Sequence, residues 1–547
     1  MHGYLVQQGD DAISAGNYEK AIKVLDKAVA IYKIKNDMKG EGIALMMLAP
    51  LHMRNAEKAI PLFERALSIF RALGDREKEA LILSNFSGIY DEKGEDERAI
   101  SLNQKALLIA REIKDKKLLA LVLNNLSNSY LKIKKYNETI KLALELLPMY
   151  REIQDDYRVV RTLLRLSESY TGISEYEKSI ICLKDVIAVH NKNKNVDNEV
   201  KTYIKIGKIY RRLLNIDSTL IYYNKGLEIA KKNNSKTEPL VLYEIGISFL
   251  GIDNTERASE YFEKVTRHPT SEESLQSFAL SENKEIHIRS LGLLGYIYAE
   301  LGSYEKALIY LEKSTTLVSL TGITDENFYK ILPMRLSNYT ALSEVLTRLN
   351  RFDDSIKTIK RELAWAQASK HSYYEANLLH TLGNLFYFKR NFKDSRNVYL
   401  DSLKISQKNG FLDLESAALS GLGLVSESDG KLEEAIRFYK HSMSIDEKIK
   451  NYRGLALNLN NLGNTLIQKG EMSKAEKYLQ KSVDISRTLL ENLSDTQRVL
   501  RCDTCEQSKP FQLLQMAQVY QGKFEIGLQT SEEGRSRAFH KVLINNF

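Results

Sequence analysis

Along most of the chain, small, turn-forming and apolar residues return in one fixed order. A Gly or Ser within an apolar stretch is followed twelve residues later by Ala, from Gly9 to Ala21, Ser87 to Ala99, Gly246 to Ala258, Gly295 to Ala307, Gly423 to Ala435 and Gly463 to Ala475. Looser copies run from Ser127 to Thr139, Ser167 to Ser179, Gly207 to Thr219, Ser343 to Ser355 and Gly383 to Ser395. Between the two lies a polar turn, as in Gly16–Ala21 and Gly302–Ala307, both of the form Gly-x-Tyr-Glu-Lys-Ala. Apolar residues flank the turn at three- and four-residue steps, which predicts two amphipathic helices per copy. Four positions after the second small residue stands a bulky one: Leu25, Leu183, Tyr223, Phe262, Leu311, Ile359, Tyr399, Tyr439 or Leu479. Two helices that cross closely need a small side chain at the crossing and a large one to fill the hole beside it. These aromatics are therefore expected in the core rather than around a cofactor.

The first-helix markers fall at 87, 127, 167, 207 and 246, then at 295, 343, 383, 423 and 463, a period of 40. Such repetition predicts an all-α solenoid of about thirteen helical hairpins, each burying its apolar stripe on its neighbours. A degenerate copy around Ala59, Phe63 and Ala66 has Pro50 interrupting its first helix, and a final copy carries Gly522–Gly527. The longer steps around 295 leave surplus chain. One surplus, containing His268–Glu273, places a hinge or inserted segment at 266–290, and Thr321–Pro333 reads as a second loosened junction. The organisation expected is an N-terminal array over 1–265, the hinge, a second array over 291–485 and a C-terminal helical cap over 486–547.

Composition agrees with helices: 7 Pro and 28 Gly in 547 residues leave few hairpin turns, and 27% charged with 43% apolar residues can build a long core. The net charge of +8 is mild at this length, and no aromatic interleaving accompanies the basic residues, which argues against a nucleic-acid partner. There is neither a basic leader followed by an apolar core nor an apolar run long enough to span a bilayer, and three cysteines make no disulfide scaffold, so a cytoplasmic protein without a membrane anchor is expected.

The small-residue step and its turn resemble the tetratricopeptide repeat (TPR), in long units similar to those of the Pins family, kinesin light chains, bacterial peptide-pheromone receptors and the arrays that precede CHAT domains. The resemblance implies a right-handed superhelix whose first helices line a concave groove for a protein or peptide ligand. Asn residues cluster at groove positions beside the markers: Asn85, Asn124, Asn125, Asn128, Asn384, Asn460, Asn461 and Asn464. An amide both donates and accepts, so such a ladder can hold the backbone of an extended peptide. It can equally bridge helices of neighbouring units, and both readings stand. A basic stripe is more local. Arg158, Arg161 and Arg165, then Lys201, Lys205, Lys208, Arg211 and Arg212, recur at helical spacing one repeat apart, a patch suited to an acidic peptide, a protein C-terminus or a phosphate. The alternative is a solvated face paired with carboxylates.

No sequence motif of a catalytic centre, metal site or phosphate-binding loop is present, so no enzyme activity, metal or cofactor is expected. Cys502 and Cys505 form half a zinc site and read as structural or incidental. The string Ser531–Phe539, with Glu532, Gly534, Arg535, Arg537, Ala538 and Phe539, resembles the leader by which TPR arrays enter a CHAT domain, a caspase-like protease fold. That resemblance implies a sensor and partner-docking array for such a protease. A stand-alone signalling adaptor of the Pins or kinesin light chain type is the alternative, and self-association through the solenoid's edges remains open.

Overall fold

The computed structural model describes residues 2–53, 55–268, 280–322, 324, 327–491 and 509–532. Within them every regular element is helical, and consecutive helices pair into thirteen hairpins, from His2–Ser14 with Tyr18–Ile34 to Lys509–Tyr520 with the helical segment 524–532. The expected all-α architecture of helical hairpins is what forms. The chain divides into two compact units, Met1–Thr237 and Glu238–Phe547.

Most of the short connections share one backbone construction. At the turn after Val196–Arg212, Leu214 adopts a left-handed conformation (φ 56°), and its N–H bonds to Arg211 O at 3.0 Å. The next N–H, of Asn215, reaches Tyr210 O at 3.0 Å, closing a Schellman motif, while the Asn215 side chain accepts from Ser218 N at 2.9 Å and caps the following helix. Two residues thus end one helix and start another. Left-handed residues recur at 94, 114, 134, 154, 174, 194 and 214, so the forty-residue period is two twenty-residue pulses of helix and turn.

The crossing rule read from the sequence holds. A Cβ added to Gly383 would lie 2.5 Å from Tyr399 Cε1, one on Gly246 2.7 Å from Phe262, and one on Gly9 2.6 Å from Leu25. Where both positions are Ser, the two hydroxyls hydrogen-bond, Ser167 Oγ with Ser179 Oγ at 2.7 Å and Ser343 Oγ with Ser355 Oγ at 2.9 Å. Tyr399, Tyr439, Phe262 and Leu25 are fully buried.

Pro50 acts as expected: helix Met38–Leu48 stops and a tight 3-10 turn, Ala49–His52, follows, because Pro supplies no amide to continue the ladder. At the two surplus junctions the helices reach further than expected. Helix Glu282–Glu300 occupies the C-terminal part of 266–290, and 269–279 lie outside the described residues. Helix Phe328–Arg348 contains Pro333, held by the buried Ile331, Met334 and Arg335 around it. The Cys502–Cys505 motif and the string beyond Glu532 also lie outside the described residues.

Candidate partner-binding groove

Side chains that bridge successive hairpins show which side of the stack is the inner one. First helices reach each other through short groups: Asn125 Nδ2 donates to Ser84 Oγ at 3.1 Å, and Ser129 Oγ to Asp91 at 3.0 Å. Second helices meet only through long ones, such as Arg111 with Glu145 at 2.7 Å and Arg151 with Asp185 at 2.9 Å. The first helices are therefore the closer set, and their free face is the inner face within each unit.

In the first unit this face carries the basic stripe. Arg161 is exposed on helix Asp156–Gly172, with its guanidinium 5.8 Å from the Tyr157 ring centre. Arg165, one turn on, is only 4% exposed. Its position, two residues before the marker, points at the preceding first helix rather than into open solvent. Its Nη1 donates to Ser127 Oγ at 2.7 Å and its Nη2 to Asn124 Oδ1 at 3.1 Å. Both acceptors are neutral, and among the described residues Arg165 has no carboxylate partner. Burial, reinforced by Arg161, pushes its pKa down to about 10, with Tyr150 opposing, so it stays a cation at neutral pH.

On the neighbouring first helix, Val196–Arg212, Lys205 is exposed and has no ion pair among the described residues. Desolvation holds its pKa below the usual lysine range, against the pull of Glu168 and with the repulsion of Lys208 and Lys201. The two stripes meet at Glu168 and Lys205. Lys201 is half-buried and Lys208 exposed on the same helix. Other cations of this region are matched: Arg158 with Asp155 at 3.3 Å, and Lys192 with Asp156 at 2.9 Å.

The amides divide. Asn124 and Asn125 already serve the protein, since Asn124 Nδ2 donates to Asn125 Oδ1 at 3.2 Å, ahead of the bond to Ser84. Asn85 and Asn128 are half-buried, with no protein partner for their side chains among the described residues. In the second unit, Asn384 Oδ1 accepts from Tyr399 OH at 2.5 Å and Asn464 Nδ2 donates to Glu427 Oε1 at 2.6 Å. Asn460 and Asn461 are buried, leaving Asn460 Oδ1 and Asn461 Nδ2 without a partner there. The structure thus brings Asn124, Asn125 and Arg165 into one network, while Asn384 and Asn464 bond elsewhere.

Sequence reasoning missed the far end of that network. Ser84 Oγ donates to Asn103 Oδ1 at 3.1 Å, Asn103 Nδ2 to Ser87 Oγ at 2.7 Å, and Ser87 Oγ to Ser84 O at 2.7 Å. The signal was available: Asn103, fully buried, stands where most other hairpins carry Leu, Ile, Phe or Tyr.

Models of the tetratricopeptide repeat match residues 44–112 and 414–488, and another matches 288–317. No curated protein sequence matches the chain. Among solved structures, a STAND signal-transduction ATPase with a tetratricopeptide sensor from Pyrococcus horikoshii is 16% identical, with TM-score 0.41, over 82% of this chain and 74% of that one. BtubC from P. vanneervenii is 17% identical, with TM-score 0.36, over 44% and 92%. The apo form of RapI is 16% identical, with TM-score 0.36, over 48% and 95%.

Proposed function

We propose that this array of tetratricopeptide repeats is a non-enzymatic scaffold that docks an acidic segment of a protein partner on the first-helix face of its first unit. One observation carries the reading: Arg161, Arg165 and Lys205 have no ion pair among the described residues, although Asp and Glu match the cations around them. A buried cation without a counter-charge costs stability, and a carboxylate or phosphate arriving beside it offsets that cost. Exposed Arg161 and Lys205 supply the first contact, and Asn128 and Asn85 offer amides to the ligand backbone. Lys201 and Lys208 extend the positive field along the next helix.

The test is binding of a hexaglutamate peptide at low ionic strength. Arg161→Glu with Lys205→Glu should weaken it at least tenfold, while reversal of Lys23 and Lys27, exposed on the second helix Tyr18–Ile34, should leave it unchanged. Equal loss from both pairs would mean a non-specific charge effect and would sink the reading.

A narrower version makes the array the docking and sensor region of a CHAT-type protease in the cytoplasm. Its support is the sequence resemblance of Ser531–Phe539, and a reading frame that continues past Phe547 into an α/β segment with a His and Cys pair would establish it. A stop codon there would favour a stand-alone adaptor.

A further inference from the structure

The hydrogen bonds beneath the groove run in one direction. Arginine can only donate, so Asn124 must turn its Oδ1 toward Arg165 and its Nδ2 toward Asn125. Asn125 in turn must present its Oδ1 to Asn124 and its Nδ2 to Ser84. Ser84, having accepted, donates to Asn103, and the series ends on the carbonyl of Ser84 through Ser87. Every member donates away from the guanidinium. The chain of bonds crosses the first helices Asp156–Gly172, Lys116–Lys132 and Arg76–Lys93. It is anchored in the second helix Asp96–Ile113 at Asn103, which is 0% exposed.

At the head of this relay sits Arg165, a buried cation with no carboxylate partner among the described residues. Two of the five N–H donors of Arg165 are engaged, both by neutral acceptors, and the largest charge effect on it is the repulsion of Arg161. Hydrogen bonds in series polarise one another, so the charge balance at the head bears on the strength of the whole chain. We propose that the relay couples occupancy of the basic groove to the packing of three successive hairpins: an anionic group held beside Arg161 supplies the counter-charge that Arg165 lacks, offsets the cost of keeping its guanidinium seated on Ser127 and Asn124, and so makes opening of the contacts through Asn124, Asn125, Ser84 and Asn103 require release of the anion. Ligand bound near Arg161 thus stabilises a helix, Arg76–Lys93, that belongs to neither hairpin contributing the basic side chains. The inference rests on the groove reading.

Hydrogen exchange of the full chain with and without hexaglutamate tests it. At free peptide ten times the Kd, amides whose opening requires release of the peptide exchange about tenfold more slowly. The relay predicts this slowing in Arg76–Lys93 as well as in Asp156–Gly172 and Lys116–Lys132. Ser84→Ala and Asn103→Leu cut the far end of the chain without touching a groove cation. Both should bind the peptide with unchanged Kd and keep the slowing in Asp156–Gly172, but lose it in Arg76–Lys93. Slowing confined to the basic hairpins in the unmodified protein, or slowing of Arg76–Lys93 that persists in both variants, overturns the coupling while leaving the groove intact. Failure of the peptide to bind the unmodified protein overturns both.

Discussion

Tyr399 is held between two glycines, and that makes the crossing rule measurable. A Cβ on Gly383 would stand 2.5 Å from Tyr399 Cε1 and 2.6 Å from Cδ1, about 1 Å inside ordinary carbon contact. The ring cannot retreat. On its other side a Cβ on Gly421 would also meet it at 2.5 Å, and its hydroxyl is tied to Asn384. Gly383→Ser therefore overpacks the crossing at about 1–3 kcal/mol, against about 0.5 kcal/mol gained in helix propensity. The net loss should be about 1–2 kcal/mol. The chain itself supplies the remedy, because Ser167 stands opposite Leu183 and Ser343 opposite Ile359, whereas Tyr223, Phe262, Tyr399 and Tyr439 each face a glycine. Tyr399→Leu alone should cost about 1–3 kcal/mol through lost contacts. The double variant should be little worse than Tyr399→Leu, a favourable coupling of about 1–2 kcal/mol. Urea unfolding followed by Trp365, the sole tryptophan, reports on this region, since its ring lies 5.9 Å from Tyr374 at the start of the helix bearing Gly383. Additive losses, or a neutral Gly383→Ser, would refute the crossing argument.

Three further outcomes follow from particular sites. Leu214 is 91% exposed with φ 56°, so Leu214→Gly should stabilise the first unit by about 1 kcal/mol, seen as a higher urea midpoint by circular dichroism; a lower midpoint contradicts the turn geometry. Glu362 forms a buried bidentate pair with Arg335, which also lies 3.9 Å from the Trp365 ring centre. Glu362→Gln should cost about 3–5 kcal/mol and shift tryptophan emission, with Arg335→Met added in the double variant recovering much of the loss. His287 is 5% exposed with Nδ1 unpartnered, and burial, then Lys313, pulls its pKa down to about 4. The unfolded chain then binds a proton below about pH 6.5 that the folded chain refuses until about pH 4, so stability should fall by up to about 3 kcal/mol as pH drops through that window. His287→Gln should flatten that part of the profile, and an unchanged slope would show that other groups set it.

The fold was legible because its two strongest signals are steric. The small marker and its bulky partner sixteen residues on, such as Gly423 and Tyr439, recur together at most helix crossings, and Pro50, with no amide to donate, interrupts its helix. The twenty-residue pulse was harder to see. Its left-handed turns are filled by Lys134, Gln154, Ser174 and Leu214 as well as by Gly94, because the paired turn bonds hold the backbone there at a modest cost to a non-glycine residue. Spacing placed Arg161 and Arg165 on one helix, but the difference in depth between two residues four apart cannot be read from one helix. Arg165 is buried because its position faces the preceding first helix, a fact set by the neighbour's Asn124 and Ser127. The same limit applies to Asn125 and Asn464, whose amides are taken by Ser84 and Glu427 on adjoining hairpins.

The most direct test of the account maps where an acidic ligand lies. A hexaglutamate peptide carrying a photoreactive group at its N-terminus, cross-linked to the full chain and digested for mass spectrometry, should mark helices Asp156–Gly172 and Val196–Arg212, and the marking should vanish with Arg161→Glu and Lys205→Glu. Cross-links distributed over lysine-rich second helices, unchanged by the two reversals, would contradict the claim that this groove is the docking surface.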